Sequence, residues 1–495
     1  MKTYRALLAV TVALIGRPAA AQEPSRRAAI EAWIDRIAGV GSMAGVSVAV
    51  VDGDSVLVLR ARGVADVETG RRVHDGTRFY LASTTKVLTA LALAQLDHRR
   101  AIDLDATLAS YLPGVRLHAP LSAERITLRD LLAMRDGIGE GPITFRTSYT
   151  GQGTRGDLVP LLALHPPAPT GNAFRYSNIG YITAALAVER RLGLDWRALI
   201  AREVLAPLGM RHTHARLSEV PVDSLAMPHA VLGGAMRRIP MGKSDSTMHA
   251  AGGHFSTASD LARFVIAQLN DGRYDGRAAF APSALADMRR SHVAQDRDVD
   301  FRHRVGWGLG WDIATYAGDT LYERPGGFGG YYSHLSIIPA RRQGVVVLAT
   351  VSSGAAEAIV RGTYDILAGR ATPERLDSLH ARVVQTYERV RARSAAAARA
   401  SRLAPPSASL LGRYASAAWG TLELYTRRDT LLARMGDSHG VVRLGSYGTL
   451  EVPLLGETKR LRLTRDARGV VRAIALDSAM TFRRVAGGRP AGGTR

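Results

Sequence analysis

The apolar positions near the start of the chain recur first at helical and then at strand spacing. Residues 28–38 carry four large apolar side chains on one helical face: Ile30, Trp33, Ile34 and Ile37. Residues 46–51 and 56–59 predict two strands, and Asp52-Gly53 between them is typical of a hairpin turn. Residues 84–96 are apolar on almost every side, which predicts a helix buried inside the domain.

The middle of the chain adds helices and a second pair of strands. Residues 97–250 predict helices and loops broken by glycine-rich stretches such as 151–153. Residues 331–338 and 344–351 predict two more strands, followed by a helix near 355–368. Strands at both ends of a domain with helices between them predict the α+β class, in which an antiparallel sheet has flanking helices and a helical subdomain.

The C-terminal part of the chain has a different pattern. A helix is predicted to begin after Thr372, because threonine caps helices and Pro373 fits the first turn. The alanine-rich stretch 395–400 predicts a linker. Residues 410–484 alternate apolar and polar positions between short polar turns, which predicts a small all-β domain of the lipocalin-like barrel type. Whether this domain is an independent appendage or shapes access to a cleft stays open.

The first residues predict a secretory signal peptide over 1–21. Lys2 and Arg5 precede an apolar run from Ala6 to Ile15, and three alanines end at Ala21. The run is about half the length of a membrane span. We therefore expect an exported protein, periplasmic or secreted, with no transmembrane segment after cleavage. The remaining predicted parts are a main domain at 22–371, a helix and linker at 372–402, a β-barrel-like domain at 403–485 and a disordered tail at 486–495.

Composition narrows the chemistry. The 495 residues include no cysteine, which excludes disulfides, zinc–thiolate sites and thiol nucleophiles. The formal net charge is +21, but the arginines are spread along the chain without an aromatic-interleaved basic cluster, so we expect no nucleic-acid partner. Of the 65 lysines and arginines only four are lysines, at positions 2, 86, 243 and 459, so a lysine at a special position is informative.

Ser83-Thr84-Thr85-Lys86 lies where strand-like residues meet the buried helix. A spacing of three places Ser83 and Lys86 on one helical face. Backbone N–H groups at a helix start favour developing negative charge, and an apolar environment lowers the pKa of an amine. A neutral Lys86 would then take the proton of Ser83, which an arginine cannot do. A chance serine beside a solvated lysine remains the alternative for this segment alone.

Two further segments carry candidate chemistry. Tyr176-Ser177-Asn178 offers a phenol that can relay a proton and an amide that can hold a substrate carbonyl, although Ser177 or Asn178 could equally cap the next helix. Arg324-Pro325-Gly326-Gly327 leads into a predicted strand. Its glycines would let a substrate backbone approach, and the N–H groups of Gly327 and Ser83 would form an oxyanion hole, unless the segment is a plain turn.

The order Ser-x-x-Lys, Tyr-x-Asn and basic-x-Gly resembles that of serine β-lactamases and penicillin-binding proteins. The nearest resemblance is to the class C β-lactamase-like branch, which includes esterases and D-amino-acid peptidases, and it covers about residues 28–370. Supporting segments are 80–83, 103–105, 111–113, 126–132, 207–210, 251–253, 259–261 and 306–311.

The resemblance implies an acyl-enzyme mechanism without cofactor or metal. Ser83 would be the nucleophile, Lys86 the base and Tyr176 a proton relay, whereas Asn178, Arg324 and Gly326 would contact substrate. Two segments depart from the family pattern. The third motif begins with Arg324 where lysine or histidine is usual, which predicts recognition of a substrate carboxylate unless the arginine pairs with Glu323 or Asp319. The stretch 134–137 reads Met-Arg-Asp-Gly where His-Thr-Ser-Gly is usual.

Two other patterns are weaker. Residues 436–440 fit the Gly-x-Ser-x-Gly nucleophile elbow, but no histidine follows His439 and the context is strand and turn, so we interpret them as a β-turn. His212 and His214 lack a third ligand at suitable spacing and predict a surface loop rather than a metal site.

The sequence therefore predicts an exported serine hydrolase that cleaves an ester or amide of a small molecule or peptide, for example one derived from the cell wall. Two alternatives stay open. One is a D,D-carboxypeptidase or D-aminopeptidase acting on cell-wall peptides, and the other is a catalytically silent penicillin-binding or cell-wall-sensing protein. The oligomeric state stays open.

Overall fold

The structure is a computed structural model that describes residues 23–485 except 154, 170, 172, 352–353, 446–448, 455–456 and 477–479. The predicted signal peptide at 1–21 and the predicted tail at 486–495 lie outside the described residues. Within the described part of the chain, no helix has both the length and the apolar character needed to cross a membrane.

An eight-stranded antiparallel sheet forms the centre of the main domain. The strands of this domain are β1 (Gly45–Asp52), β2 (Ser55–Gly63), β3 (Phe79–Tyr80), β4 (His229–Leu232), β5 (Ala235–Arg238), β6 (Phe255–Ser256), β7 (Arg273–Tyr274), β8 (Arg277–Ala278), β9 (Val293–Val299), β10 (Arg302–Trp307), β11 (Asp312–Tyr316), β12 (Asp319–Phe328), β13 (Tyr331–Ile338) and β14 (Gln343–Thr350). The sheet order is β2-β1-β14-β13-β12-β11-β10-β9, so strands from the two ends of the domain are neighbours. The six others form three short pairs, β3 with β6, β4 with β5 and β7 with β8.

Helices cover both faces of this sheet. They are α1 (Glu23–Ala38), α2 (Thr85–His98), α3 (Leu108–Tyr111), α4 (Leu128–Leu132), α5 (Pro142–Phe145), α6 (Arg155–Leu158), α7 (Ile179–Leu192), α8 (Trp196–Ile200), α9 (Ala206–Leu208), α10 (Ala258–Leu269), α11 (Pro282–Arg289), α12 (Gly354–Leu367) and α13 (Pro373–Ala400). On β14, Val346 and Leu348 join the core shared with α2 and α10, whereas Val345 and Val347 face the core shared with α1 and α12. The predicted α+β fold with a β-lactamase-like antiparallel sheet is confirmed.

The sequence and the structure differ at residues 395–400. These residues were predicted to be a linker, but they continue α13 to Ala400. Alanine has the highest intrinsic helix propensity, so an alanine-rich stretch extends a helix that is already nucleated. Thr372 caps this helix as expected, since its hydroxyl accepts a hydrogen bond from the Arg375 N–H at 3.3 Å.

The C-terminal domain is a ten-stranded antiparallel sheet that nearly closes into a barrel, which confirms the all-β prediction. Its strands are β15 (Arg402–Leu403), β16 (Gly412–Ser416), β17 (Gly420–Arg427), β18 (Thr430–Met435), β19 (Ser438–Val441), β20 (Arg443–Leu444), β21 (Leu450–Leu454), β22 (Glu457–Arg465), β23 (Val471–Leu476) and β24 (Met480–Arg484). Alternate residues point inward, as Leu431, Ala433 and Met435 do on β18.

Candidate active site

Ser83 lies in a short 3₁₀ turn, Ala82–Thr84, between β3 and the start of α2. Ala82 has a φ of +46°, a conformation that non-glycine residues adopt at a cost in free energy and that is common at functional sites. Two hydroxyls hold the turn against the sheet. Thr84 Oγ1 donates to the Arg324 carbonyl at 2.9 Å, and Ser333 Oγ donates to the Leu81 carbonyl at 2.6 Å. The turn is therefore fixed relative to β12 and β13.

Lys86 is fully buried on the first turn of α2, and its Nζ has three neighbours at hydrogen-bond distance. These are Asn178 Oδ1 at 2.6 Å, the Ala251 carbonyl at 2.9 Å and Ser83 Oγ at 3.2 Å. Two of the three can only accept. A neutral amine that donates its two protons to Asn178 and Ala251 has its lone pair left for Ser83.

The protonation of Lys86 and Tyr176 is set by burial and by each other. Burial is the largest effect on Lys86 and lowers the pKa of its amine; the neighbouring Tyr176 opposes this, and the Arg324 cation lowers the pKa further. Burial acting alone would raise the pKa of the Tyr176 phenol. The Lys86 and Arg324 cations, together with hydrogen bonds to Lys86 and Ser83, outweigh that effect and lower the Tyr176 pKa.

Tyr176 also contacts the Ser83 hydroxyl. Its OH donates to Ser83 Oγ at 2.6 Å, and the residue is 40% exposed, so it forms part of the open wall of the site. The ring stands edge-on to Trp307, with centroids 6.1 Å apart. The phenol is placed to pass a proton between Ser83 and a group entering from solvent.

Asn178 occupies the residue before α7, but its side chain makes no capping hydrogen bond to that helix. The Oδ1 atom accepts from Lys86 instead, and the Asn178 N–H donates to Glu140 Oε1 at 2.8 Å. The side-chain amide N–H₂ is left to donate elsewhere. The predicted helix-cap alternative therefore does not describe this side chain.

The end of β12 brings glycines next to the nucleophile. β11 pairs with β12 only as far as Asp312–Glu323, whereas β13 continues to the pair Phe328–Tyr331, so residues 324–328 have one unpaired edge. A Cβ at Gly326 would lie 2.3 Å from the Leu81 carbonyl oxygen and 2.9 Å from the Ser83 nitrogen. Only glycine allows β12 to pass this close to the nucleophile turn.

Arg324 is buried and forms an ion pair with an acid of the neighbouring strand. It is 4% exposed, and its Nη2 lies 3.2 Å from Asp312 Oδ2. The guanidinium carbon lies 5.0 Å from the ring centroids of both Tyr176 and Trp307. The counter-ion is Asp312 rather than the expected Glu323 or Asp319, and recognition of a substrate carboxylate by Arg324 stays a prediction.

Sequence reasoning missed the acids that support these groups. Glu140 holds the backbone of Asn178, and Asp312 neutralises the buried Arg324. Neither acid lies in a recognisable motif. Asp312 contacts Arg324 because the last residue pair between β11 and β12, Asp312–Glu323, lies next to Arg324. The one available signal was that Arg324, a permanent cation, needs an acid wherever it is buried.

The unusual stretch 134–137 contributes a buried acid. Asp136 is 4% exposed, and its Oδ1 accepts from the Ile138 N–H at 2.8 Å. Burial is the main cause that raises the pKa of the Asp136 carboxyl to about 7. The Asp136 carboxyl packs against α7, since a Cβ at Gly180 would lie 3.2 Å from Asp136 Oδ2.

The two weaker motifs do not form sites. Residues 436–440 lie in the turn and first residues of the β18–β19 hairpin, as predicted. His212 lies 3.7 Å from Asp260, and His214 lies 3.9 Å from Glu219. Across the described ranges, no three histidine, aspartate or glutamate side chains form a group that would hold a metal ion.

Known proteins resemble this chain in both sequence and fold. The family model described as Beta-lactamase matches residues 30–370. Penicillin-binding protein 4 of Amycolatopsis lactamdurans is 28% identical over 336 residues, which are 67% of this chain and 86% of that protein.

Two solved structures share the fold at lower identity. The octameric penicillin-binding protein homologue from Pyrococcus abyssi superposes with a TM-score of 0.58 at 19% identity, over 92% of this chain and 99% of that one. The D-amino acid amidase from Ochrobactrum anthropi SV3 gives a TM-score of 0.59 at 21% identity, over 70% of this chain and 99% of that one. The Pyrococcus likeness extends into the C-terminal domain, whereas the amidase likeness covers a shorter part of the chain.

Proposed function

Because this chain belongs to the beta-lactamase family of serine hydrolases, we propose that it cleaves a carboxylic ester or amide through an acyl-enzyme on Ser83. One observation carries this proposal. The buried Lys86 amine has two of its three hydrogen-bond positions taken by the Asn178 and Ala251 oxygens, and the third faces Ser83 Oγ at 3.2 Å. A lysine held this way and lowered in pKa is suited to act as a base.

In the proposed acylation, Ser83 Oγ forms a bond to the substrate carbonyl carbon and its proton passes to Lys86 Nζ. The carbonyl π electrons move to the oxygen. When the tetrahedral intermediate collapses, the bond to the alcohol or amine leaving group breaks, and that group takes a proton relayed from Lys86 through the Tyr176 hydroxyl. In deacylation water takes the place of Ser83: its oxygen bonds to the ester carbon and its proton passes to Lys86. The bond between the acyl carbon and Ser83 Oγ then breaks, the acid departs, and the proton returns from Lys86 to Ser83.

The proposed oxyanion hole uses the N–H groups of Ser83 and Gly327. Gly329 and Gly330, with φ of +28° and +86°, form a two-residue turn, so Phe328 and Tyr331 are the flanking pair. Antiparallel pairs alternate between hydrogen-bonded and non-hydrogen-bonded. Counting back from the turn, Gly327 falls in a non-hydrogen-bonded pair with Tyr332, and this directs the Gly327 N–H to the unpaired edge of β12.

Asn178 is proposed to hold the substrate carbonyl or amide through its N–H₂ group, and Gly326 to let the substrate backbone approach.

The test is covalent labelling combined with turnover. The wild type should hydrolyse p-nitrophenyl esters, and mass spectrometry after fluorophosphonate treatment should find the adduct on Ser83. Ser83→Ala should lose both, with turnover falling by roughly 10³-fold or more. Ser438→Ala, in the other serine motif, is the matched control and should keep both. Label retained in Ser83→Ala would refute the assignment.

A peptidase activity is the second candidate, favoured by the Lys86–Asn178 contact, which leaves an amide donor for a peptide carbonyl. The names of a penicillin-binding relative and a D-amino acid amidase neighbour agree with it. Comparing p-nitrophenyl esters with D-amino acid p-nitroanilides on the same preparation decides between the two. Penicillin labelling of Ser83 with no turnover of any substrate would instead establish the silent binding protein.

We also propose export, on the pattern of Lys2, Arg5 and the apolar run that follows. Intact-mass measurement of the protein from a cell envelope fraction tests it. A mature chain that starts after Ala21 supports export, and an uncleaved cytosolic chain contradicts it.

A further inference from the structure

The C-terminal barrel contacts the main domain beside the proposed site, and most of the contacts described below fall on one segment. This support segment, residues 142–152, consists of α5, a π-helical turn at Arg146–Thr150 and the two residues that follow. Its Phe145 belongs to the hydrophobic core of the barrel and meets Trp419 edge-on, with ring centroids 5.4 Å apart. A side chain of the main domain thus completes the core of the other domain.

The β16–β17 turn of the barrel binds the support segment through polar contacts. The Arg146 guanidinium donates to the carbonyls of Ala417 and Ala418 at 2.6 and 2.8 Å. The Gln152 side-chain amide exchanges two hydrogen bonds with the backbone of Thr421, at 3.0 and 2.7 Å. Both ends of the π-helical turn are therefore held by the same hairpin.

The β18–β19 turn makes a second set of contacts. The Asp437 N–H donates to the Thr150 carbonyl at 3.1 Å, and its carboxylate accepts from the hydroxyls of Ser244 and Ser246. A Cβ at Gly436 would lie 1.9 Å from the Thr150 carbonyl oxygen, so the two backbones are in close contact. The motif that imitates a nucleophile elbow is thus a docking turn.

The other side of the support segment touches the strand proposed to stabilise the oxyanion. The Tyr149 ring packs against Phe328, with centroids 5.6 Å apart, and Phe328 directly follows Gly327. The buried Lys243 lies beside both rings. Its Nζ is 3.8 Å from the Phe328 ring centroid and donates to the Ser148 carbonyl at 2.5 Å.

A second connection leads to the proposed base. Ser148 Oγ and His249 Nε2 are hydrogen-bonded at 2.9 Å, and both side chains are buried. His249 is two residues before Ala251, whose carbonyl accepts from Lys86. The support segment therefore contacts the neighbours of both the oxyanion strand and the general base.

We propose that the barrel is a positioning domain, which holds the support segment and through it fixes the end of β12 and the Ala251 carbonyl in their catalytic geometry. This inference rests on the proposed acyl-enzyme function. It differs from a barrel that only covers the cleft. A cover acts on substrates large enough to reach it, whereas a positioning domain affects acylation by every substrate, including the smallest.

The experiment uses the full chain with Trp419→Ala and Asp437→Ala combined, which removes one contact from each docking turn. Tyr425→Ala with Asp429→Ala is the matched control, because Tyr425 contacts Arg434 within the barrel and Asp429 lies at the exposed β17–β18 turn. Hydrogen–deuterium exchange of peptides covering 142–152 and 324–331 is measured beside p-nitrophenyl acetate turnover. A thermal unfolding scan confirms that each barrel is folded.

We expect faster exchange in both peptides of the docking variant and a fall in kcat of at least roughly tenfold, since a shift of about 1 Å in a catalytic group has effects of this size. The control should resemble the wild type in both measurements. Unchanged exchange in 324–331 would overturn the proposal, whether or not 142–152 is loosened. Unchanged p-nitrophenyl acetate turnover would overturn it as well, because a barrel that only covers the cleft does not affect this small substrate. Exchange is measured without catalysis, so failure of the proposed function, seen as an inactive and unlabelled wild type, remains distinguishable.

Discussion

Replacing Gly326 by alanine should disable the site by moving a strand. The new Cβ would lie 2.3 Å from the Leu81 carbonyl oxygen, 2.6 Å from Ser333 Oγ and 2.9 Å from the Ser83 nitrogen. A carbon atom normally keeps about 3.5 Å from such neighbours, so β12 and the nucleophile turn must separate by about 1 Å. The two backbone atoms cannot rotate away as a flexible side chain would.

The size of the effect follows from the proposed oxyanion hole. A separation of about 1 Å takes an N–H from hydrogen-bond distance to beyond it, and loss of one oxyanion donor lowers kcat by about 10² to 10³. Overpacking adds about 1–3 kcal/mol of destabilisation. Gly327→Ala is the matched control, because its Cβ would meet nothing closer than the Tyr331 carbonyl oxygen at 3.9 Å and the N–H is kept.

The assay measures kcat and KM on a p-nitrophenyl ester together with the thermal midpoint of each variant. Gly326→Ala should lose kcat while it remains folded at the assay temperature, and Gly327→Ala should stay within about threefold of the wild type, an effect of about 0.6 kcal/mol. Equal losses in both variants, or a Gly326→Ala enzyme as active as the wild type, would refute the reasoning from close approach.

Three other variants test the electrostatics of the site. Lys86→Arg keeps the charge but cannot supply a free amine, so turnover should fall by roughly 10²- to 10⁴-fold at every pH. The wild-type rate should rise with pH through a pKa below that of an ordinary lysine. A variant with near-normal activity would show that Lys86 acts only as a charge. Arg324→Ala should lower the turnover of neutral and carboxylated esters by the same factor, because the guanidinium is buried beside Tyr176. A loss confined to the carboxylated ester of a matched pair would instead show that Arg324 binds the substrate carboxylate directly. Asp136→Asn should make stability less dependent on pH. Burial in the folded state raises the pKa of Asp136 to about 7, so the folded protein favours the neutral acid. This contribution to the free energy of unfolding is complete below about pH 4 and is lost as the pH rises to about 7. Relative to the asparagine variant, the wild type should lose roughly 4 kcal/mol over this range. Parallel curves of unfolding free energy against pH for the two proteins would contradict this.

The chemistry of the site was predictable where it depends on spacing along one element. Ser83 lies in the 3₁₀ turn that leads into α2 and Lys86 on the first turn of α2, so their contact follows from the spacing of three and from the presence of a lysine inside an apolar stretch. Tyr176 and Asn178 required the family resemblance, because nothing in a loop followed by a helix specifies which distant helix it meets. The structure places both beside Lys86, with Asn178 Oδ1 at 2.6 Å from its amine.

The fold was predictable for the same local reasons. Alternating and helical patterns place α1, α2, β1 and the paired strands β13 and β14 close to their observed bounds. The alanine-rich stretch at 395–400 is helical rather than a linker, because alanine favours helix and α13 is already nucleated by its cap and apolar positions.

The role of Arg324 was not predictable, because it depends on where one strand stops. In the sequence, Arg324 follows Glu323 closely and Asp319 is in reach, so a local ion pair and a substrate contact were the visible choices. In the sheet, the last residue pair between β11 and β12 is Asp312–Glu323, so Asp312 lies next to Arg324, the following residue of β12. The Asp312 carboxylate is 3.2 Å from the Arg324 guanidinium. A lysine or histidine in this position can lose its proton, whereas an arginine cannot, so a buried Arg324 imposes a permanent charge that Asp312 must balance. The arginine that departs from the family pattern is therefore explained by its ion pair with Asp312 on the neighbouring strand. Burial raises the pKa of the Tyr176 phenol and the Lys86 cation is the largest effect that lowers it; the Arg324 cation lowers it further, so we expect Arg324 to act on the site through Tyr176.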